Sequence, residues 1–362
     1  MDNNTTILVP LKDRGDFTIR FLGWYNLISC PFRFLIADGG SCPTVKSILR
    51  DKSNFPNISY DYVEYPYDET LTEYHAKMSD IVDKIETPLT LLMDNDDFFY
   101  VSAVFMHTNY LFHSKDYSSS RGALNKIFLL PPEWEEGDTI EAPVVYGDIV
   151  LTDNMYDKYR DPIIGETAKD RLIQQSQQFH GNWHNLTRTR HMRAACKLVG
   201  LANPPNFRFT EQYLGFINAL WGKCMRANGY FILHQDGTPR STETNHFPPQ
   251  EEWINQEYWI DSFSKMTSVI ASVVSYYDNI DIREAEELFR QSYLTKLPDH
   301  KDLLLSKYEE CKKIDNSSLI ERCYEVLDQC KVKEIEALHP FEYGDTCQQE
   351  LDLLRRVLRE YA

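Results

Sequence analysis

The chain has 362 residues, of which 42% are hydrophobic and 26% are charged. This composition is typical of a folded globular protein with a sizeable core, and it argues against a disordered, collagen-like or disulfide-scaffolded chain. The 38 basic and 55 acidic residues give a net charge of −17, which repels nucleic acid and anionic lipid on average. We therefore expect no nucleic-acid partner.

The cysteines and the apolar segments indicate the cellular compartment of the protein. The 8 cysteines form no CxxC pair, so we expect reduced thiols rather than disulfides or a zinc site. The amino end is polar and shows no secretory signal, and residues 269–277 reach only about half the length of a bilayer span. These observations predict a protein without a transmembrane segment, in the cytoplasm or at the inner face of the membrane.

The first 100 residues alternate between strand and helix patterns. Short apolar or alternating runs predict strands at residues 7–10, 32–37, 60–65 and 89–93. Apolar residues at helical spacing predict helices at 17–28 and 71–85, and Ser41 with Pro43 predicts the cap and first turn of another. This order is typical of a parallel α/β sheet, in which ligands bind beyond the carboxyl ends of the strands.

The remaining chain changes character near residue 250. Residues 101–250 are mixed and rich in loops, whereas residues 251–362 are helical and highly charged. We predict one domain over residues 1–250, with a nucleotide-binding half at 1–100 and an acceptor half at 101–250, followed by a helical region at 251–362. The last predicted helix carries Arg355, Arg356 and Arg359. They form either the solvated face of a helix that packs on the domain or contacts a partner, or a contact with an anionic membrane or a lipid-linked acceptor.

The cluster Asp94-Asn95-Asp96-Asp97 follows the last of the predicted strands directly. Carboxylates at this spacing can share one divalent cation, and Mg²⁺ and Mn²⁺ prefer oxygen ligands together with substrate phosphates. Three like charges within four residues repel one another unless a cation relieves them. The alternative is an acidic turn in which Asp96 or Asp97 caps the following helix.

Two other strand ends carry polar residues suited to a nucleotide. Asp38 ends the second strand in an Asp-Gly-Gly-Ser turn, where it either accepts hydrogen bonds from a base or ribose or forms an Asx turn. Lys12 and Arg14 follow the first strand, where they either receive phosphate charge or lie in a solvated loop.

Together, these three strand ends resemble the nucleotide-binding half of a GT-A glycosyltransferase of the family-2-like group. That group opens with a strand followed by Pro-Thr-x-Asn/Asp-Arg, and residues 9–14 match it with leucine in place of threonine. Residues 36–41 match its strand ending in Asp-Asp/Gly-Gly-Ser, and residues 92–97 match Leu-x-Asp-x-Asp-Asp. The resemblance covers residues 5–100. It implies a Rossmann-like α/β fold with a mixed, mainly parallel sheet flanked by helices and followed by a helical C-terminal extension.

The resemblance also implies an activity and a set of site residues. It implies transfer of a sugar from a nucleotide-sugar donor to a glycan or lipid-linked glycan acceptor, with inversion, assisted by Mn²⁺ or Mg²⁺. The donor-binding residues implied are Pro10, Lys12, Arg14, Asp38, Gly39, Asp94 and Asn95. Asp96 would coordinate the metal, and His234 is a second candidate ligand, although a histidine at such a strand end is more often structural.

The general base for the acceptor hydroxyl is expected at a helix start in the second half of the domain. Thr210 is suited to cap a helix there, which makes Glu211 the candidate base, with Glu166 and Asp170 as weaker candidates. Trp183 and His184 either line an acceptor pocket or belong to the core.

Two other functions are compatible with the same pattern. A nucleotidyltransferase has a similar sheet but opens with a glycine- and arginine-containing loop, which does not follow Val9. A non-catalytic, sugar-nucleotide-binding scaffold with a vestigial acidic cluster is the other alternative. Metal-dependent hydrolysis of the donor distinguishes an enzyme from such a scaffold.

Overall fold

The computed structural model describes residues 4–135, 144–156, 161–179, 182–236, 238, 248–330 and 346–362. The strands within these residues are Thr5–Leu11 (β1), Arg33–Asp38 (β2), Ser59–Glu64 (β3), Leu89–Leu92 (β4), Phe98–Phe99 (β5), Tyr117–Leu130 (β6), Asp148–Tyr156 (β7), Leu186–Arg188 (β8) and Lys223–Gln235 (β9). The α-helices are Gly15–Leu27 (α1), Pro43–Arg50 (α2), Leu71–Ile81 (α3), Val101–His113 (α4), Ala168–Gln177 (α5), Thr189–Ala202 (α6), Phe207–Leu220 (α7), Gln250–Ile254 (α8), Trp259–Asp278 (α9), Ile282–Lys296 (α10), Lys301–Cys311 (α11), Ser317–Cys330 (α12) and Cys347–Glu360 (α13).

The strands form one mixed sheet in the order β3-β2-β1-β4-β8-β6-β9-β5, with β7 paired to β6 outside this path. Strands β1 to β4 are parallel, β8 is antiparallel to both β4 and β6, and β9 is parallel to β6. Six strands, β1–β4, β6 and β9, therefore run in one direction. This confirms the predicted mixed, mainly parallel sheet flanked by helices.

The apolar runs form the centre of the sheet because both faces are covered. Ile7, Leu8, Leu91 and Leu92 on β1 and β4 are at most 1% exposed. Continuous burial of this kind is typical of parallel strands with helices on both sides. The carboxyl ends of these strands, where the chain leaves the sheet, carry the polar motifs.

The start of α2 differs from the prediction. Pro43 is in the first turn as predicted, but the residue that caps the helix is Cys42, so the predicted cap at Ser41 is wrong. The amide and hydroxyl of Ser41 both donate to Asp13 Oδ1 at 3.0 Å. Ser41 thus links the loops after β1 and β2 instead of capping a helix.

A second core lies among the helices and spans position 250. It contains Leu172, Phe216, Trp253, Phe263 and Phe289, each 0–1% exposed. Helices on both sides of residue 250 share this apolar interior, and the functional division of the chain there stays a prediction. Among the described residues, no helix combines the length and the apolar character needed to cross a bilayer.

The last helix, α13, packs against the sheet side of the molecule. Leu351, Leu354 and Leu358 are 1–2% exposed within the core that also contains β1 and α4. Arg355 pairs with Asp352 and Arg359 pairs with Asp148, at 3.6 and 3.4 Å. These contacts agree with the packed-helix interpretation of the arginines.

Candidate functional site

A cavity of about 310 Å³ opens at the carboxyl ends of β1 and β4. Its lining comes from both predicted halves of the domain: Pro10, Leu11, Lys12, Arg14, Tyr74, Lys77, Asp94, Asp96, Trp183, His184, Phe207, Glu211, His234, Gln235, Asp236 and Thr238. Seven of the predicted site residues meet here, namely Pro10, Lys12, Arg14, Asp94, Asp96, Glu211 and His234. Three others, Asp38, Gly39 and Asn95, are not among the described lining residues.

Asp97, at the end of the acidic loop (residues 94–97), is fixed by the end of β9. Its side chain is fully buried; Oδ1 accepts from the amide of Gln235 at 3.0 Å, and Oδ2 lies 2.9 Å from Nδ1 of His234. The His234 side chain is about one-third exposed and faces the cavity. The loop that follows β4 and the end of β9 thus meet through a carboxylate–imidazole pair.

His184 faces the same carboxylate from another direction. Its Nδ1 is 3.0 Å from the carbonyl of Leu92, which can only accept, so Nδ1 carries the proton in the neutral ring. The unprotonated Nε2 then lies 3.4 Å from Asp97 Oδ2 and 3.7 Å from Asp94 Oδ2. Lone pairs that face one another at these distances need a proton or a cation between them.

Asp97, His184 and His234, here called the Asp-His-His cluster, offer ligand atoms that all lie within 4.8 Å of one another. A histidine that donates one ring N–H to a backbone carbonyl and offers the other nitrogen is a common form of metal ligand. The donor set and the lone-pair arrangement therefore fit a divalent cation.

Burial and neighbouring charges shift the pKa values in this cluster in opposite directions. Burial lowers the pKa of His184, which favours its neutral form. The Asp97 carboxylate raises the pKa of His234 to about 9, so in the metal-free protein this ring is a cation. Burial, with Asp96 and Asp97 nearby, raises the pKa of Asp94 to about 7. Burial opposes ionisation of Asp97, but His234, His184 and the Gln235 amide outweigh it and lower the pKa of Asp97.

Asp96 is engaged differently from the expected metal ligand. Its Oδ2 forms an ion pair with Arg14 at 2.6 Å and accepts a hydrogen bond from the hydroxyl of Thr238. Arg14 adopts a left-handed backbone conformation, with φ at 56°, at the start of α1. Asp97 and His184, which the sequence analysis did not identify as metal ligands, join His234 in the cluster. The fourth residue of the acidic motif and the histidine-rich segment around His184 were the available signals.

The residues at the end of β2 stabilise loops beside the cavity lining. Asp38 is buried and accepts from the Gly40 amide at 2.7 Å and from the Tyr62 hydroxyl at 2.6 Å. A Cβ at Gly39 would lie 2.4 Å from the carboxylate of Asp68, so no side chain fits there. The side-chain amide of Asn95 donates to the Thr18 hydroxyl at 2.9 Å. Asp38, Gly39 and Asn95, which were predicted to bind the donor, thus stabilise loops next to the residues that line the cavity.

A buried ion pair lies beside this turn and was not predicted. Asp68 and Lys77 pair directly, with each side chain 1% exposed. Lys77 also donates to the carbonyl of Leu11 at 2.9 Å and lines the cavity. Lys12 and Lys77 therefore line the cavity near β1, where Asp68 offsets the charge of Lys77, and Asp94 and Asp96 line it near β4.

Glu211 reaches the cavity, but its helix begins earlier than predicted. Helix α7 starts at Phe207, and its cap is Asn206, whose side chain accepts from the amide of Phe209 at 3.0 Å. The predicted cap at Thr210 is therefore wrong; this hydroxyl lies inside the helix, 3.0 Å from Nε2 of His75. Glu211 is exposed in the second turn of the helix.

The wall around Glu211 is aromatic. The ring centroids of Tyr74 and Phe207 are 5.4 Å apart, and those of Trp183 and Phe207 are 6.0 Å apart. The two weaker base candidates lie outside the described lining: Glu166 pairs with Lys223 at 2.8 Å, and Asp170 belongs to the capping box of α5.

No family model and no curated protein matches the chain. Among solved structures, it is similar to a fragment of TarS from S. aureus, residues 1–349, with 12% identity over 82% of this chain and 71% of that chain and a TM-score of 0.44. The same fragment in complex with UDP-GlcNAc is 10% identical over 99% of this chain and 91% of that chain, with a TM-score of 0.45. A longer TarS chain is 9% identical; the match covers 99% of this chain and 55% of that chain, with a TM-score of 0.44.

Proposed function

We propose that this chain is a metal-dependent glycosyltransferase that moves a sugar from a nucleotide-sugar donor to a glycan or lipid-linked glycan acceptor, with inversion. The observation that carries the proposal is the convergence on one cavity of cationic side chains, a cluster suited to a divalent cation and a separate exposed carboxylate, Glu211. Sugar transfer from a nucleotide sugar can use all three, the positive charges for the anionic leaving group and the carboxylate for the acceptor proton.

Asp97, His184 and His234 are the proposed metal ligands, in place of the expected pair Asp96 and His234. Two imidazoles with one carboxylate favour a transition metal, so we propose Mn²⁺ rather than Mg²⁺. When bound, such an ion would neutralise negative charge on the donor diphosphate. The ligands would release the His234 proton on binding, because this ring is cationic in the metal-free protein.

The residues at the β1 end have binding and positioning roles in the proposal. Lys12 supplies positive charge for a diphosphate, whereas Lys77 is paired with Asp68 and Arg14 is paired with Asp96 at 2.6 Å, both at the cavity wall. Asp38 and Gly39 shape the turn on which the nucleoside would rest. A protein with a net charge of −17 can bind a polyanion in this way because the local charge differs from the average.

Glu211 has the role of general base. Its exposed carboxylate stands on helix α7 and lines the cavity together with Phe207 and Trp183. The carboxylate would accept the proton of the acceptor hydroxyl while the aromatic faces pack against apolar faces of a sugar. This role is separate from metal and donor binding, so the two can be tested independently.

The experiment measures hydrolysis of UDP-, GDP-, CMP- and dTDP-sugars with and without Mn²⁺, together with Mn²⁺ binding by calorimetry. Asp97→Asn should weaken Mn²⁺ binding at least tenfold and abolish metal-dependent hydrolysis. Asp96→Asn should do so only if Asp96 is the ligand, as the sequence predicted. Asp170→Asn, in a helix cap outside the described cavity lining, is the matched control.

A second comparison isolates the base. Glu211→Gln should retain Mn²⁺ and donor binding but lose transfer to any acceptor by at least a hundredfold, whereas the exposed Glu166→Gln should retain it. Absence of Mn²⁺-assisted binding of every nucleoside diphosphate would refute the proposed function. Donor binding without any turnover would indicate a non-catalytic binding protein instead.

A further inference from the structure

Arg20, on α1, is a buried arginine that connects three separate segments of the chain. Its side chain donates to the carbonyl of Asp96, to the carbonyl of Val145 and to Oε1 of Gln235, each at 2.7 Å. The residue is 2% exposed. One guanidinium therefore joins the acidic loop, the end of β9 and the segment that precedes β7.

The contacts of this site favour arginine. The guanidinium contacts the rings of Phe17 and Phe98, with its Cζ 4.9 and 4.7 Å from their centroids. A planar guanidinium can stack on an aromatic ring while it donates in its own plane to several acceptors, whereas a lysine ammonium is a compact point charge without that plane. Burial lowers the pKa of Arg20 to about 10, so the group is still charged at neutral pH.

The contacts of Gln235 extend this connection to the metal-ligand cluster. While its side-chain oxygen accepts from Arg20, its backbone amide donates to Oδ1 of Asp97 at 3.0 Å. The side-chain amide of Gln235 donates to the carbonyl of Val144 at 2.8 Å. The neighbouring residues Asp97 and His234 thus lie on two segments, the acidic loop and β9, that Arg20 contacts directly.

We propose that Arg20 is a positioning residue that holds the acidic loop and the end of β9 at the separation at which Asp97, His184 and His234 bind one divalent cation. The inference rests on the proposed function, because it takes this cluster as the metal site. Arg20 does not line the described cavity, so its effect on the metal acts through the backbone of Asp96 and through Gln235.

The experiment compares Arg20→Lys with a matched control, Arg171→Lys. Arg171 is also buried, at 6% exposure, and donates to the carbonyls of Gly165, Glu166 and Leu220 at 2.6–3.0 Å, outside the described cavity lining. Mn²⁺ affinity is measured by calorimetry on the full chain, and the side-chain imidazole signals of His184 and His234 are measured by NMR on the metal-free protein.

We expect Arg20→Lys to weaken Mn²⁺ binding at least tenfold and to shift the imidazole signals of His184 and His234. Arg171→Lys should change neither the Mn²⁺ affinity nor these signals, even if the two variants lower the melting temperature equally. If Arg20→Lys does not fold, Gln235→Met decides, because it removes the side-chain acceptor of Arg20 and keeps the amide that binds Asp97. We expect about threefold weaker Mn²⁺ binding in that variant.

Two results would overturn the inference and can be told apart. If the folded Arg20→Lys protein binds Mn²⁺ as tightly as the wild type, the positioning role is refuted and the proposed metal site is not. The same conclusion follows from wild-type Mn²⁺ affinity in Gln235→Met, if Arg20→Lys does not fold. Absence of Mn²⁺ binding by the wild-type protein refutes the proposed metal site and, with it, the role of Arg20.

Discussion

Glu350 provides the sharpest test of whether the C-terminal helix belongs to the same folding unit as the sheet. This residue on α13 is 5% exposed, and its two carboxylate oxygens accept from the amides of Val101 and Ser102 at 2.7 and 2.8 Å. These amides open α4, where unpaired N–H groups and the helix dipole favour a negative charge. A side chain 249 residues along the chain from Val101 thus caps the helix that follows the acidic loop.

The size of the effect follows from the two bonds. Hydrogen bonds to a charged group contribute about 1.5–3 kcal/mol each, and the sum is not additive. Glu350→Ala leaves the buried amide of Val101 and the half-buried amide of Ser102 without this acceptor, so we expect a loss of about 2–4 kcal/mol. Glu350→Gln keeps one acceptor oxygen but loses the charge, so we expect a loss of about 1–2 kcal/mol.

The assay is urea unfolding followed by circular dichroism, with Glu360→Gln on the exposed part of the same helix as the control. The control should change the free energy of unfolding by less than about 0.5 kcal/mol. If both Glu350 variants also stay within about 0.5 kcal/mol of the wild type, α13 does not stabilise the start of α4 and this reasoning is refuted.

Two further predictions concern buried titratable groups. Burial lowers the pKa of His75 to about 4 from its ordinary 6.5, so between these values the unfolded chain binds a proton that the folded chain does not. The free energy of unfolding should therefore have its full value above about pH 6.5 and fall by up to about 3 kcal/mol as the pH drops towards 4. The variant His75→Gln should flatten this pH dependence. An unchanged slope in urea titrations of that variant would contradict the assignment. Lys77→Met should destabilise the protein by about 3–5 kcal/mol because Asp68 is left buried without its partner, whereas Lys77→Met/Asp68→Leu should recover at least half of the loss. Equal losses in the single and double variants would show that the unpaired charge is not the cause.

The sequence predicted the first half of the fold well because its signals are local. The strand and helix patterns of residues 5–100 reflect side chains that alternate or recur on one face, and the observed β1–β4, α1 and α3 follow them closely. Errors arose at helix starts. Ser41 and Thr210 are good caps by residue type. However, Ser41 donates to Asp13 instead of capping α2, and α7 begins before Thr210 because Asn206 caps it.

The candidate site was predicted in part for a related reason. Residues at the ends of parallel strands meet at one edge of the sheet, which is why Lys12, Arg14, Asp94 and Asp96 lie together. The roles within the acidic motif depend on contacts from distant segments. The pairing of Asp97 with His234 joins residues 137 positions apart, and no local pattern indicates it.

The partners of the acidic loop exclude the simpler interpretation of the motif as a helix cap. The first amides of α4 are bound by Glu350, so neither Asp96 nor Asp97 serves that helix. Arg14 and Thr238 contact Asp96, while His234 and the Gln235 amide contact Asp97. Like charges this close repel one another, and here separate elements of the fold compensate each of them from a different direction. A polar turn alone does not need two imidazoles directed at one carboxylate, whereas that arrangement suits the exchange of a proton for a divalent cation that we propose for this site.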